Sequence, residues 1–461
     1  MAKEKPSIPK GTRDFGPQEV AKRKYILNTI EKVFIKYGFM PIETPTMENL
    51  STLTGKYGDE GDKLLFRILD SGETFEKIRN SKFEIRNQNE FNNLIAEKGL
   101  RYDLTVPFAR YVVMNRNEIT FPFKRYQMQP VWRADRPQKG RYREFWQCDA
   151  DVVGSDSLLH ELDLINIYSE VFKSLGVEVE IKINNRKVLA GIAEVVKGIE
   201  HLNTIAVAID KLDKIGKDGV SKELTELGFS DLEIEKLFDI ISIKGNDTEM
   251  LETLKIKLQS SQEGLKGIEE LEFIFNLINQ STNQLINLKT DFSLARGLSY
   301  YTGCIFEVAA VEGSLRSSIG GGGRYDNLTG IFGLEGVSGV GISFGLDRIY
   351  DVLEELKLFP ETLSQGSSKV LICTSNSIEN IEPAPVLKIL GTLRNEGIAS
   401  ELYTEKINVK KPLEKPIKYA SSKAIPYAII YTENETLKLK NLITGFQEDL
   451  TIDEIIQKLQ D

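Results

Sequence analysis

Histidine and cysteine are scarce in this chain, with 2 His and 3 Cys among 461 residues. Cys148, Cys304 and Cys373 are far apart and form no C-x-x-C pair, so neither a disulfide framework nor a structural zinc site is expected. Reduced, mostly buried thiols are the natural reading. No run approaches the eighteen or so apolar residues that a membrane span needs, and Met1-Ala2-Lys3-Glu4-Lys5-Pro6 is too polar for a signal peptide, which predicts a cytosolic location. Short-period repeats and long low-complexity tracts are also missing, which excludes solenoids and disordered tails. Nor is there an excess of positive charge. The formal net charge of -9 argues against a protein that coats nucleic acid without specificity, while leaving room for a local basic patch.

What is present suits a multidomain globular protein. The chain is 41% apolar and 28% charged, enough for one large core and at least one smaller domain. Residues 17–37 carry Val20, Leu27, Ile30, Val33 and Phe34 at helical spacing with Gly38 as a stop, which predicts an amphipathic helix. Period-two stretches, turns and further helices continue to about residue 185 and imply an antiparallel sheet with helices packed on it. From about residue 197 to 287 the texture changes to Leu/Ile-rich helical repeats with many Lys and Glu. An all-helical insertion is expected there, because strand and glycine signals resume only near Lys289. Gly-rich strands then lead into a helix over 346–356, and residues 360–368, including Gln365-Gly366-Ser367-Ser368, read as a linker. Beyond it, Val370-Leu371-Ile372-Cys373, a helix over 386–396, residues 399–403, a helix over 412–423 and Ala428-Ile429-Ile430-Tyr431 alternate in the βαβ manner and predict a separate α/β domain.

The densest chemistry lies in residues 125–153, where two strand-like arms flank a basic turn. In the second arm Trp146, Cys148, Ala150 and Val152 share one face, while Phe145, Gln147, Asp149 and Asp151 share the other. Arg133 ends the first arm, and Arg136, Lys139, Arg141 and Arg143 crowd the turn. Such cations repel one another unless a polyanion neutralises them, and planar guanidinium groups suit phosphate oxygens. A phosphate ligand and a surface ion-pair network both satisfy this stretch by itself. In residues 100–106, Leu100, Tyr102, Leu104 and Val106 alternate with Arg101, Asp103 and Thr105, a pattern that also fits an edge strand with one wet face. Residues 294–303 set Arg296 beside Gly297 and the pair Tyr300-Tyr301, which suits core packing as well as ligand contact. The run Ile319-Gly320-Gly321-Gly322-Gly323-Arg324-Tyr325-Asp326 allows close backbone approach but lacks the G-x-x-x-x-G-K-[ST] of a P-loop. Gly339-Val340-Gly341-Ile342-Ser343-Phe344-Gly345 runs directly into a helix carrying Arg348, for which a helix-surface salt bridge is the default role.

Four of these segments, in order, resemble the signatures of class II aminoacyl-tRNA synthetases in their histidine-specific form. Tyr37-Gly38-Phe39-Met40-Pro41-Ile42-Glu43-Thr44-Pro45 resembles motif 1, with Pro45 as the dimer-interface proline. Trp132-Arg133-Ala134-Asp135 and the turn that follows resemble motif 2 and its loop, residues 296–301 the histidine-specific signature, and residues 341–348 motif 3. Ser299 stands where the signature commonly has an acid, and Asp103 and Asp151 stand where bacterial members often carry glutamate. The resemblance covers nearly the whole chain. It implies an α+β fold: a class II antiparallel sheet with flanking helices forms a catalytic core from residues 1–195 and 289–360. An all-helical insertion at 196–288 interrupts it, and a C-terminal α/β anticodon-binding domain occupies 369–461.

The resemblance also implies a cytoplasmic homodimer that activates L-histidine with ATP and transfers it to the 3′ end of its tRNA. On this reading Arg133 and Arg296 hold the α-phosphate and the carboxylate, and Arg141 and Arg348 hold the outer phosphates. Asp135 belongs to the ATP site, Phe145 stacks on adenine, and Mg²⁺ is carried largely on substrate oxygens and water. Asp103, Thr105 and Gln147 hold the amino group, while Asp151 and Tyr301, beside Tyr300, recognise the imidazole. A site that pairs both ring nitrogens rejects apolar amino acids strongly, so editing is not expected. Gln138, Lys139 and Arg143 face the acceptor end, and Lys406, Lys410, Lys411, Lys415 and Lys418 are candidates for the anticodon stem. His160 and His201 fall outside the matched segments and receive no role. Two rivals remain. A non-catalytic synthetase-like regulatory subunit or tRNA sensor is disfavoured by the C-terminal domain and the intact arginines; a threonine or proline enzyme is disfavoured by the absence of zinc ligands and by the 296–301 segment.

Overall fold

The computed structural model describes residues 5–70, 72, 95–138, 140–280, 286–295, 300–314, 317–364, 368–374, 382–408, 410–432 and 437–460. They form two units, Met1–Leu358 and Phe359–Asp461.

The first unit begins with α1 (Pro17–Lys36). Pro17 supplies a preset φ at the first helical position, and Glu19 reaches back to accept from the Gly16 amide at 2.7 Å. Ile26, Ile30, Val33 and Phe34 form its buried stripe, whereas Val20 stays 38% exposed. Short strands follow: β1 (Met40–Pro41), β2 (Met47–Asn49), β3 (Arg67–Ile68) and β4 (Lys98–Leu100). After α2 (Thr105–Met114) come the long hairpin strands β5 (Phe123–Trp132) and β6 (Glu144–Val153), then α3 (Leu159–Leu175), β7 (Val179–Asn185) and α4 (Arg186–Val196). Helices α5 (Leu202–Ile209), α6 (Leu212–Glu226), α7 (Asp231–Ile241), α8 (Asp247–Lys257) and α9 (Gln262–Gln280) follow without an intervening strand. The starts of α7 and α8 are fixed by capping boxes at Ser230/Glu233 and Asn246/Glu249. The sheet resumes with β8 (Leu288–Thr290), β9 (Cys304–Ala310), β10 (Gly320–Tyr325) and β11 (Gly339–Gly345), and α10 (Leu346–Glu355) continues directly from β11.

The central sheet has eight strands in the order β1-β5-β6-β11-β10-β9-β7-β8. It is antiparallel except at the β1/β5 and β7/β8 pairs. Helices α1 and α3 cover one face. Phe344 of β11 packs against Phe34 of α1 at 5.8 Å and against Tyr168 and Phe172 of α3 at 4.8 and 5.6 Å between ring centroids. Cys148 pairs with Phe344 and Ala150 with Ile342 across the ladder, so these residues share the covered face. Period-two alternation then commits Gln147, Asp149, Asp151, Gly341 and Ser343 to the opposite face.

The alternation over residues 100–106 does not make one strand. β4 ends at Leu100 and α2 begins at Thr105. The Asp103 carboxylate accepts from the Val106 amide at 3.2 Å, a local bond that favours a helix start over a ladder, and Pro107 sits in the first turn, where its missing N–H is not needed.

The second unit opens with β12 (Val370–Thr374), α11 (Pro383–Asn395), β13 (Ser400–Leu402), α12 (Glu414–Ser422) and β14 (Tyr427–Tyr431). It closes with β15 (Leu437–Asn441), β16 (Gln447–Asp449) and α13 (Ile452–Gln460). Its sheet runs β13-β12-β14-β15-β16. The first three strands are parallel, as βαβ alternation requires, but β15 and β16 add an antiparallel hairpin that this alternation does not predict. The expected linker contains a turn at Glu361–Ser364, and residues 365–367 lie outside the described set. Among the described residues no helix is long and apolar enough to cross a membrane.

Candidate active site

The polar face of the sheet floors a cleft of about 440 Å³, walled by Arg133, Asp135, Arg141, Phe145, Glu307 and Arg348 among others. Behind it lies an inner recess of about 40 Å³ bordered by Asp103, Thr105, Gln147, Asp149, Asp151 and Tyr300. Gln147, Tyr301, Gly321, Gly322 and Ser343 line both, so the two spaces are continuous.

In the outer cleft, Arg133 sits just past β5. Its Nε donates to the Tyr102 carbonyl at 3.0 Å, and its guanidinium lies 4.3 Å from the Tyr102 ring centroid and 5.2 Å from that of Phe145. Arg348 comes from the first turn of α10, where Nε donates to the Gly140 carbonyl at 2.9 Å and Nη1 to the Ser318 carbonyl at 2.6 Å. Its neighbour Asp347 is buried and accepts from Arg13, from Arg23 and, at 3.0 Å, from the Trp146 amide, which pins the β11–α10 junction against β6. Arg141 faces Asp135 at 3.7 Å and is 46% exposed, so this pair is loose and screened. Arg143 is turned inward, with Nε donating to the Asp135 carbonyl at 3.1 Å, and Gln138 forms an isolated bridge with Arg141 across the turn. Arg296, Gly297, Leu298, Ser299 and Lys139 lie outside the described residues.

The inner recess is acidic. Asp103, buried at 1% exposure, accepts from the Tyr57 hydroxyl at 3.0 Å and the Tyr300 hydroxyl at 3.2 Å, and burial pushes its pKa up. Asp151 forms an ion pair with Arg125 at 2.7 Å and accepts from the Tyr325 hydroxyl at 2.6 Å; burial again raises it. Burial also holds the Tyr301 hydroxyl well above the usual phenol range, so it stays a neutral donor. The glycines of β10 and β11 make this packing possible. A Cβ on Gly341 would stand 1.9 Å from Asp151 Oδ1, and one on Gly323 would stand 2.9 Å from the Tyr301 ring.

Asp149 is pushed from 3.8 to about 7, chiefly by burial, with Arg125 opposing and Asp151 adding to the shift. Its folded-state pKa therefore lies above the unfolded one. The folded chain holds an extra proton between those values, and stability falls as pH rises through that window. Asp149→Asn removes this term. Its unfolding free energy relative to the unsubstituted chain is expected to rise between about pH 4 and about pH 7 in urea titrations, and parallel pH profiles would refute the assignment.

Arg125, Asp149, Tyr325 and Tyr57 were not among the expected site residues. A signal for two of them is present in the sequence, because Arg125, Gln127 and Gln129 alternate along β5 opposite Asp151, Asp149 and Gln147 on β6. Polar residues at period two on both arms of one hairpin mark a shared polar face. Tyr57 and Tyr325 arrive from distant segments, and only the fold brings them in.

Comparison with known proteins agrees with this geometry. The histidyl-tRNA synthetase family profile matches residues 93–349. Histidine–tRNA ligase of Cytophaga hutchinsonii is 53% identical over 461 residues, covering 99% of this chain and 100% of the relative. The chain belongs to the histidyl-tRNA synthetase family. The Bacteroides fragilis histidine–tRNA ligase is 55% identical over 459 residues and 99% of each chain. Among solved structures, histidyl-tRNA synthetase from Nostoc sp. PCC 7120 superposes with a TM-score of 0.79 at 29% identity over 99% of each chain. A Bacillus halodurans protein described as an ATP phosphoribosyltransferase regulatory subunit/histidyl-tRNA synthetase superposes with a TM-score of 0.70 at 20% identity, covering 94% of this chain and 99% of its own. At that identity the likeness is one of fold alone. The relatives above half identity therefore decide between synthetase and regulatory subunit, in favour of the synthetase.

Proposed function

We propose that this chain is an aminoacyl-tRNA synthetase that activates L-histidine with ATP and transfers it to tRNA(His), acting as a cytoplasmic homodimer with motif 1 at the dimer interface. The observation that carries the reading is the continuity of a cation-walled cleft with a buried acidic recess on one sheet face. A triphosphate fits the first and the cationic amino group of an amino acid the second.

In the first step a histidine carboxylate oxygen attacks the α-phosphorus of ATP, the bond to the bridging oxygen breaks, and pyrophosphate leaves. In the second, the 3′-terminal ribose hydroxyl of the tRNA attacks the carbonyl carbon of the adenylate and AMP departs. Two anions must meet in the first step, so guanidinium groups set in advance around the phosphorus lower its barrier. Arg133 would serve the α-phosphate and the carboxylate together with Arg296, Arg141 and Arg348 the outer phosphates, and Phe145 the adenine, with Asp135 at the same site. Asp103, Thr105 and Gln147 would take the ammonium; Asp151 and Tyr301, beside Tyr300, would take the ring. Of the wall carboxylates Asp135, Glu307 and Asp347, the last is already engaged by Arg13 and Arg23, which leaves too few for a metal cage. That donor set fits Mg²⁺ carried on ATP and water, where it screens the triphosphate. Gln138, Lys139 and Arg143 would meet the tRNA acceptor end. Residues 196–288 would act as an inserted helical domain and 369–461 as the anticodon-binding domain, with Lys406, Lys410, Lys411, Lys415 and Lys418 toward the anticodon stem.

ATP–pyrophosphate exchange measured across the twenty amino acids tests this directly. Exchange should require L-histidine. Faster exchange with any other amino acid would overturn the specificity, and no exchange at all would overturn the activity.

A further inference from the structure

Among the described residues, three buried acceptor atoms of the recess make no hydrogen bond: Asp151 Oδ2, which is ion-paired with Arg125, and Gln147 Oε1 and Asp149 Oδ1, which are not. A buried acceptor left without a donor is costly, so the recess is shaped for a ligand that supplies one. The other end of the Gln147 amide is committed, with Nε2 donating to Ser343 Oγ at 2.9 Å. Ser343 stands directly opposite Asp149 in the β6–β11 ladder. Short side chains on one face of such a pair lie within reach of each other, which sets the Ser343 hydroxyl where it can donate to the Asp149 carboxylate and oppose its upward pKa shift.

A hydroxyl carries one proton, and once ionised, above the pKa of about 7 to which burial raises it, the Asp149 carboxylate can only accept. Once Ser343 donates to Asp149, its oxygen can only accept from Gln147. The amide is then held with its NH₂ toward Ser343 and its carbonyl oxygen toward the recess. Reversing it would set an N–H against a substrate cation. An amide that could adopt either orientation is thus fixed from the residue behind it, as second-layer partners fix the tautomer of a ligating histidine.

We infer that Asp149 and Ser343 are positioning residues for amino-acid selection: through the Ser343 hydroxyl, Asp149 keeps the Gln147 carbonyl oxygen aimed at the α-ammonium of the substrate. The inference rests on the reading of this site as a histidine-activating centre. It makes the recess discriminate by the ammonium separately from the imidazole.

The test uses the full chain, above about pH 7 where Asp149 is ionised, and two competitive inhibitors of histidine-dependent ATP–pyrophosphate exchange. Histamine keeps the imidazole and the ammonium; imidazole-4-propionate keeps the imidazole and the carboxylate but has no ammonium. Ser343→Ala is expected to raise the KM for histidine and the inhibition constant for histamine about tenfold, the effect of one hydrogen bond to a charged group, with the KM for ATP and the inhibition by imidazole-4-propionate nearly unchanged. Gln147→Ala should do the same, and Ser343→Ala combined with Gln147→Ala should be no worse than Gln147→Ala alone, because both remove one shared contact. Asp149→Asn, which can donate to Ser343 and release the amide, should show the same split. Additive losses, equal losses for histamine and imidazole-4-propionate, or unaltered histidine affinity in Ser343→Ala would overturn the inference. Failure of the unsubstituted chain to exchange with histidine would instead overturn the function on which it rests.

Discussion

Arg133→Ala is expected to slow histidine-dependent ATP–pyrophosphate exchange by about 10³-fold, the upper range for deleting one pre-placed stabiliser of developing charge. The guanidinium is partly exposed to the cleft and held by the Tyr102 carbonyl and by the rings of Tyr102 and Phe145. Those contacts stiffen the side chain without neutralising it, since neither a carbonyl nor an aromatic ring removes its charge. Arg133→Lys should recover only part of the rate, because an ammonium keeps the charge but cannot grip phosphate and carboxylate oxygens with a planar fork. Among the described residues Arg133 makes no ion pair, so the substitution should leave thermal unfolding nearly unchanged. Near-normal exchange in Arg133→Ala would exclude this residue from the reacting atoms.

Glu161→Ala is expected to destabilise the first unit by about 3–5 kcal/mol, read from denaturant unfolding followed by circular dichroism. Glu161 in the first turn of α3 and Arg324 in β10 are an ion pair with side chains 0% and 4% exposed, joined at 2.6 Å through Nε and at 2.8 Å through Nη2. Arg324 also donates to the Ser155 and Ser157 carbonyls and to Ser338 Oγ. Deleting the carboxylate leaves a buried guanidinium with neutral acceptors and only the Asp326 carboxylate, 4.0 Å away and partly exposed, and the loss of that compensation, more than the strength of the pair itself, sets the size of the effect. Tyr325, the next residue along β10, donates to Asp151, so histidine affinity should weaken as well. A change below about 1 kcal/mol would mean that water or rearrangement solvates Arg324, contrary to its burial.

Much of this organisation could be read from the residues before any coordinates. The helix over 17–37, the helix over 346–356 and the polar face of residues 145–151 follow from hydrophobic period and turn chemistry, which act over a few residues. The stretch 100–106 misled because an alternating pattern ignores a side chain that bonds its own backbone: the bond from the Val106 amide to Asp103 turns the chain into α2. The hairpin β15–β16 escaped because the βαβ rhythm before it supplies no information about antiparallel strands appended at the sheet edge.

The site divides in the same way. Gln147, Asp149 and Asp151 share a face because β-strands alternate, and motif resemblance alone was enough to select Arg133 and Arg348 as phosphate-site candidates. Arg125 behind Asp151 comes from the other arm of the same hairpin, but the other residues that tune those groups come from far along the chain: Tyr57 on Asp103, Tyr325 on Asp151 and Ser343 on Gln147. Local sequence determined the elements, the order of the motifs and which side chains share a strand face, because those depend on short-range dihedral preferences and on spacing. Which carboxylates are buried, which guanidinium compensates them and which way an amide points were decided only by tertiary packing, because desolvation and hydrogen-bond partnership are properties of the assembled neighbourhood.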